Sequence, residues 1–377
     1  MMPMWLHSFG LGCGAFSLAG AFYWLAAAWA AGRFSRAVDA GGGHPAVSLL
    51  KPLHGVEPKL RENLETFCRQ NYDAAVQIVF GVQGAADTAI GIVEEVKQAH
   101  PDLDIALVVD ARVYGSNRKI SNLINMMPAA KHDTLVLSDS DISVAPGYLR
   151  AVIASLRKGG AVTCLYRGVH TGNVWSRLVA MGINYQFAPN VLFATASGLD
   201  APCFGSTIAL RRDLLQRIGG FEAFADLLAD DYELGRAVRA AGEPTRLAPV
   251  IVAHSCAESH ASETVAHELR WARTIRLLNW KGHLGSVVIH AMPLALVAVA
   301  LAPGPFTLSA LAAAMAARAV LKLRMDKVLG AGAGSVALLP LRDLLSFAIF
   351  VGSLYGGSVR WRGRRFAVTS NGVLFDR

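Results

Sequence analysis

Charge is scarce in this sequence. Asp, Glu, Lys and Arg make up 17 % of its 377 residues, against roughly a quarter in soluble globular chains. With hydrophobic residues at 53 %, that scarcity excludes disorder and a wholly water-soluble enzyme. Cysteine is scarce too. Cys13, Cys68, Cys164, Cys203 and Cys256 are odd in number, far apart and never in a Cys-x-x-Cys pair. This excludes a disulfide scaffold and a thiolate zinc site, and favours reduced thiols on the cytosolic side. Two phosphate-binding motifs are also missing. No Gly-x-x-x-x-Gly-Lys-[Ser/Thr] occurs, and no Gly-x-Gly-x-x-Gly follows the first strand-like run, which disfavours an NTPase or a nicotinamide enzyme.

What the sequence does have is apolar runs at its two ends. From Phe9 to Ala31 there is no charge, and at about 1.5 Å per residue such a helix crosses a bilayer core of about 30 Å. Arg33 and Arg36 follow it, the reverse of a cleaved signal peptide, so residues 8–32 read as an uncleaved anchor with the cytosol on the C-terminal side. Near Leu284 a second apolar region (284–357) begins. Segments 284–303 and 305–321 are separated by Ala302-Pro-Gly-Pro305, and Arg318, Lys322, Arg324 and Lys327 read as the return to the cytosolic face. The stretch 335–357 is interrupted by Pro340, Arg342 and Asp343, and charges at bilayer depth cost about 2.5–3.5 kcal/mol each. It is therefore expected to be re-entrant or interfacial. That leaves the basic tail 358–377, with Arg360, Arg362, Arg364 and Arg365, in the cytosol, as a topology-fixing flank or a partner of anionic headgroups.

Between these ends, residues 45–281 read as a soluble domain. Val47–Leu50, Val76–Phe80, Ile105–Val109 and Thr134–Leu137 are short, β-branched and bounded by turn residues. Leu60, Leu64 and Phe67, and then Ile92, Val93 and Val96, follow a helical period. This alternation predicts βαβ units, a mostly parallel sheet and a ligand beyond the carboxyl ends of its strands. Polar residues collect at those ends: Lys51 and His54, then Gln83 and Asp87, then Asp110 with the loop 115–119, then Asp139 and Asp141. Such an edge suits an anionic ligand held with a divalent cation.

Three clusters carry candidate chemistry, each with a plain structural alternative. Asp139-Ser-Asp141 on a strand end would turn two carboxylates to one side, toward a metal, or simply cap a turn. Asp230-Asp231-Tyr232 opens a helical run, where acids suit the helix N-terminus; Asp231 could equally reach a cleft as a general base. His267, Arg270 and Trp271 share one helix face, fit to bind diphosphate and wall an acceptor site, or to place Trp271 and Trp280 as interfacial anchors. His254, His260 and His267 match no zinc spacing and read as satisfied or solvated. Gly205 lies ahead of a strand, Thr207–Leu210, where it allows close approach of a ligand or mere packing.

In order along the chain stand Val47-Ser-Leu-Leu-Lys-Pro-Leu-His-Gly55, Val82-Gln-Gly-Ala-Ala-Asp87, Gly115-x-Asn117-x-Lys119-x-x-Asn122-Leu123, Asp139-Ser140, Asp230-Asp231-Tyr232 and Arg270-Trp271. Together they resemble the ceramide glucosyltransferase-like glycosyltransferases, family 21. The resemblance implies a GT-A nucleotide-sugar fold over residues 45–280 and inverting transfer of a sugar from a UDP-sugar to a membrane lipid. Cys164-Leu-Tyr-Arg-Gly168, His267-Glu-Leu-Arg-Trp-Ala-Arg-Thr-Ile-Arg276 and Trp361-Arg-Gly-Arg-Arg-Phe366 look most like the bacterial hopanoid-associated branch, which implies N-acetylglucosamine and bacteriohopanetetrol; eukaryotic-type members glucosylate ceramide. By the same resemblance Asp231, Arg270 and Trp271 are catalytic, and Lys51, Asp87, Asn117, Lys119, Asp139 and His267 contact the nucleotide sugar. Asp139 with Asp141 would hold Mg²⁺ or Mn²⁺. His267 stands where the family has Gln or Arg. The expected setting is a bacterial cytoplasmic membrane, with no nucleic acid as partner. A processive polysaccharide synthase would need several more spanning helices than these four segments, and a silent lipid-binding protein would show no turnover.

Overall fold

The computed structural model describes residues 3–36, 43–199, 203–356, 358–361, 364–368 and 374–376. A long helix, α1 (Met4–Ala31), leads into the soluble domain. Its first half alternates β1 (Val47–Pro52), α2 (Leu60–Cys68), β2 (Val76–Val82), α3 (Ala89–Ala99), β3 (Asp104–Val109), α4 (Arg118–Met126) and β4 (Thr134–Leu137). β1 and β2 are mostly apolar and buried on both faces, as strands covered by helices on both sides are. The four expected strands are all present, paired in parallel in the order β3-β2-β1-β4.

Beyond β4 the sheet stops being wholly parallel. After a two-residue β5 (Ile142–Ser143) and α5 (Tyr148–Leu156) come β6 (Ala161–His170), the helices α6 (Val174–Gly182) and α7 (Ala188–Ala196), β7 (Ile208–Arg211) and α8 (Arg212–Arg217). Then follow α9 (Asp230–Ala240) and β8 (Thr245–Cys256). β7 runs antiparallel to β4 and β6, and β6 pairs in parallel with β8. The eight-stranded sheet is therefore mixed, with β5 and β7 running against six strands that share one direction, and it stays mostly parallel. β7 reaches β4 only after α5, β6, α6 and α7, and enters from the Gly205 turn against the end of β4. The reversal sets Gly205 beside Asp139, whose N–H donates to the Gly205 carbonyl at 3.2 Å.

α10 (Ala261–Leu278) leads to the apolar helices. The expected straight segment 284–303 is instead a bent pair. α11 (Trp280–Gly285), continued by a 3₁₀ turn to Ile289, meets α12 (Ala291–Leu301) at 64°. α13 (Pro305–Leu329) runs well past the expected end at 321, and Arg318 and Lys322 are buried within the fold rather than marking its surface. α14 (Leu339–Ser353) contains Arg342 and Asp343. By length and composition α1, α13 and the helical stretch 336–353 can each cross a membrane, and the bent pair makes a fourth if it counts as one span.

The charges that interrupt the last segment are paired, which is how a fold tolerates them in an apolar setting. Asp343 accepts from Arg318 Nε and Nη2 at 2.8 and 2.7 Å, and Arg318 Nη1 donates to the Tyr185 carbonyl. The guanidinium also lies 4.6 Å over the Trp24 ring of α1. Arg342 makes a two-pronged pair with Glu268 of α10. Helices distant in sequence are thereby tied to the catalytic domain. A last small sheet, β9 (Ser358–Trp361), β10 (Arg364–Val368) and β11 (Leu374–Asp376), is antiparallel; the side chains of the basic tail lie outside the described residues.

Candidate active site

The carboxyl end of β4 delivers Asp139 into a cleft of about 460 Å³, lined also by Lys119, Asp141, Asp231, His254, His267, Arg270 and Trp271. Gly205 is its pivot. The Gly205 N–H donates to Asp231 Oδ2 at 2.9 Å, and its carbonyl accepts from the Asp139 backbone N–H, so one residue ties the Asp231 carboxylate to the Asp139 backbone. A Cβ at Gly205 would sit 2.7 Å from Asp139 Oδ2 and 2.9 Å from Lys119 Nζ. Gly205→Ala is therefore expected to lower turnover at this site by about a hundredfold, the scale of a 1 Å misplacement. Steady-state rates beside an unchanged melting curve would check it.

Lys119, from the first turn of α4, reaches Asp139 at 2.8 Å and Asp230 at 3.2 Å. Burial works to lower its pKa, but Asp139, Asp230 and Asp231 outweigh it and hold the ammonium above its ordinary range, a fixed positive charge. Asp231 lies in the first turn of α9, where the dipole favours a carboxylate. Burial and the neighbouring Asp230 nonetheless push it up to about 6. That is the range of a carboxylate able to take a proton near neutral pH. Burial also raises Asp139, against the opposing pull of Lys119.

The Asp139-x-Asp141 pair does not behave as a strand-end pair. The chain turns at Ser140, so Asp139 faces Lys119 while Asp141 faces His254 Nδ1 at 3.2 Å. No third His, Cys, Asp or Glu joins them as a metal group among the described residues. What the donors do fit is the mode in which a hard cation takes one or two carboxylates and completes its shell with substrate phosphates and water. The histidines read as satisfied are satisfied: His254 by Asp141 and His267 by a short contact to Glu258.

Three expected nucleotide contacts are not among the residues that line this cleft. Lys51 is fully buried, its ammonium donating to the Asp139 carbonyl at 2.7 Å and lying 3.6 Å over the Phe67 ring. Burial pulls it down to about 7, and its work here is to hold the β4 end. Asn117 is buried, caps α4 through the Ile120 N–H and donates to Asp230 Oδ1 at 3.2 Å. Asp87 accepts from the Gly55 and Ala89 N–H groups, both at 2.9 Å, locking the loop after β1 to the start of α3. All three positions support the site; in this geometry their side chains do not line it. Tyr166 lines it without having been singled out by the sequence; Gly205, read as allowing close approach of a ligand or mere packing, and His254, read as satisfied or solvated, line it too.

The remaining wall is α10. His267 and Trp271 meet edge to face, ring centres 4.3 Å apart. Burial lowers the Arg270 guanidinium from its usual range, against the opposing attraction of Asp231 and Asp141.

Comparison with known proteins agrees with this geometry. Over 236 residues the chain is 28 % identical to ceramide glucosyltransferase 1 of Caenorhabditis elegans, covering 59 % of this chain and 47 % of that protein. With ceramide glucosyltransferase 3 of the same organism it shares 23 % identity over 242 residues, 61 % of this chain and 50 % of the other. The chain thus spans about half the length of the curated relatives it matches. In fold it superposes on a mannosyltransferase from Pyrobaculum calidifontis solved with GDP-mannose and Mn²⁺, with a TM-score of 0.54, 21 % identity, and coverage of 93 % of this chain and 99 % of that one. The family model for glycosyl transferase family 21 matches residues 13–374, nearly the whole sequence, and the protein belongs to that family.

Proposed function

We propose that this protein transfers a sugar, with inversion, from a UDP-sugar to the hydroxyl of a membrane lipid. One observation carries the reading. Gly205 hydrogen-bonds both the Asp231 carboxylate and the Asp139 backbone N–H, in a cleft walled by Arg270 and Trp271 of α10, the helix that leads to the apolar helices. The acceptor hydroxyl oxygen attacks the anomeric carbon as Asp231 takes its proton. The bond from that carbon to the diphosphate oxygen breaks, and UDP leaves. Lys119 and Arg270 supply positive charge where negative charge grows. A divalent cation held by Asp139, with Asp141 nearby, would add to that neutralisation when bound.

The finer reading is N-acetylglucosamine to bacteriohopanetetrol, in a bacterial cytoplasmic membrane with residues 45–281 and the tail 358–377 on the cytosolic face. It rests on the Cys164–Gly168, His267–Arg276 and Trp361–Phe366 motifs. The second reading, UDP-glucose to ceramide, is favoured by the names of the curated relatives. Protein in lipid nanodiscs, offered each donor with each acceptor, separates them by the mass of the glycolipid formed. The account expects a single sugar added to one lipid class; polymer, or no turnover with any pair, contradicts it.

The proton acceptor sets the pH dependence. Above about pH 6 Asp231 is ionised and competent; below it the carboxyl is protonated and cannot serve as base. The rate of transfer at limiting substrate is therefore expected to fall on the acid side with a midpoint near 6. Asp230→Asn removes a neighbouring negative charge that raises Asp231, so its midpoint lies lower, as a pH–rate profile would show.

A further inference from the structure

α10 divides its two sides between two enclosed spaces. His267, Arg270 and Thr274 face the acidic cleft, whereas Glu268, Ala272 and Ile275 face a second cavity of about 360 Å³. Spacings of three and four place each set on one helix face. Trp271 borders both spaces. The second cavity lies within the roughly 300–1,000 Å³ range of ligand pockets, and α14 and the bent pair α11–α12 supply much of its wall.

Most of its polar groups already have partners, and His290 packs its ring on Phe347 and Phe350. Arg342 is held by Glu268, by Ser346 and by the Leu178 carbonyl, while the Ser346 hydroxyl donates to Gln186. His283 Nε2 pairs with the Ser353 hydroxyl at 2.8 Å, and Asn190 accepts from Tyr23. What is left to meet an occupant is hydrocarbon: Ile183, Phe187, Val191, Ile275, Ile349 and Phe350. A site this size is too small for a protein segment and too apolar to hold a sugar nucleotide.

We propose that this cavity binds the hydrocarbon adjoining the reacting hydroxyl of the lipid acceptor, with Trp271 as the wall between that hydrocarbon and the sugar. The inference rests on the function proposed above and adds where the acceptor's apolar body lies. An occupant here enters from the helices that can cross a membrane and presents its polar end past Trp271 to Asp231. The sealed polar cluster keeps Arg342 and Glu268 from needing water or a headgroup, so chain shape rather than charge decides what fits.

Two experiments test it. Ile349→Trp and Val191→Trp fill the cavity from α14 and α7, far in sequence from the acidic cleft. Each is expected to raise the acceptor KM by about tenfold or more, the scale on which apolar pockets discriminate, with UDP affinity unchanged. Separately, a bacteriohopanetetrol analogue and a ceramide, each carrying a diazirine in its hydrocarbon, are irradiated with the wild-type protein in nanodiscs, and at least one is expected to label α7 and α14 at residues lining the cavity. Unchanged acceptor KM in both variants, or labelling confined to the outward surfaces of α1 and α13, overturns the assignment. If the wild type glycosylates no lipid, the functional reading falls by itself, and the photolabelling still decides the cavity.

Discussion

Asp231→Asn is expected to cut sugar transfer by roughly two to four orders of magnitude, the usual contribution of a general base, while UDP binding stays close to wild type. The substitution is nearly isosteric. An Asn amide can still accept the Gly205 N–H through its oxygen, the bond that Asp231 Oδ2 makes at 2.9 Å, so the α9 start and the Gly205 turn keep their shape. What it loses is the capacity to take a proton. Lys119, Asp139 and Arg270, which would meet the diphosphate, are untouched. Transfer rates measured beside UDP affinity by calorimetry separate the two roles. A variant with near-normal transfer means another group is the base; a variant that loses UDP as well means Asp231 holds the nucleotide.

The second large effect belongs to the helices. Asp343→Ala leaves the Arg318 guanidinium buried with only the Tyr185 carbonyl and the Trp24 ring for company. The side chains of the pair are 4 % and 10 % exposed. Removing one partner of a buried ion pair costs about 3–5 kcal/mol, because the other charge remains without solvent or counter-ion. Replacing both is a different matter. Arg318→Met with Asp343→Leu removes the charges together and is expected to recover most of the loss, as apolar substitutes of similar volume do elsewhere. Thermal unfolding of the two variants beside the wild type in one detergent checks both expectations. If Asp343→Ala melts with the wild type, the pair does not tie α13 to α14.

Much of the soluble half was legible because its signals are local. The strands around Val79 and Val136 are β-branched runs bounded by turns, and Asp139, Asp231, Arg270 and Trp271 sit at strand ends or on one helix face, where spacing alone puts them into a cleft. The errors share one cause, partners far away in sequence. Lys51 looks like a strand-end cation, yet the Phe67 ring and the Asp139 carbonyl draw it under the sheet. Asp87 was placed at the right edge, but one of its carboxylate oxygens, Oδ1, is taken by the Gly55 and Ala89 N–H groups. Arg342 and Asp343 read as interruptions because Glu268, 74 residues away, and Arg318, on another helix, could not be seen to answer them. Likewise no local pattern announces that β7 turns antiparallel, the event that brings Gly205 to Asp139.

The account turns on where the sugar nucleotide sits. A photoreactive UDP-sugar analogue, irradiated with the membrane-embedded protein and followed by peptide mapping, addresses that directly. Attachment within the 117–141, 204–231 and 254–274 segments that frame the acidic cleft, suppressed by excess UDP, is the predicted result. Attachment elsewhere on the chain, or attachment indifferent to UDP, would contradict it.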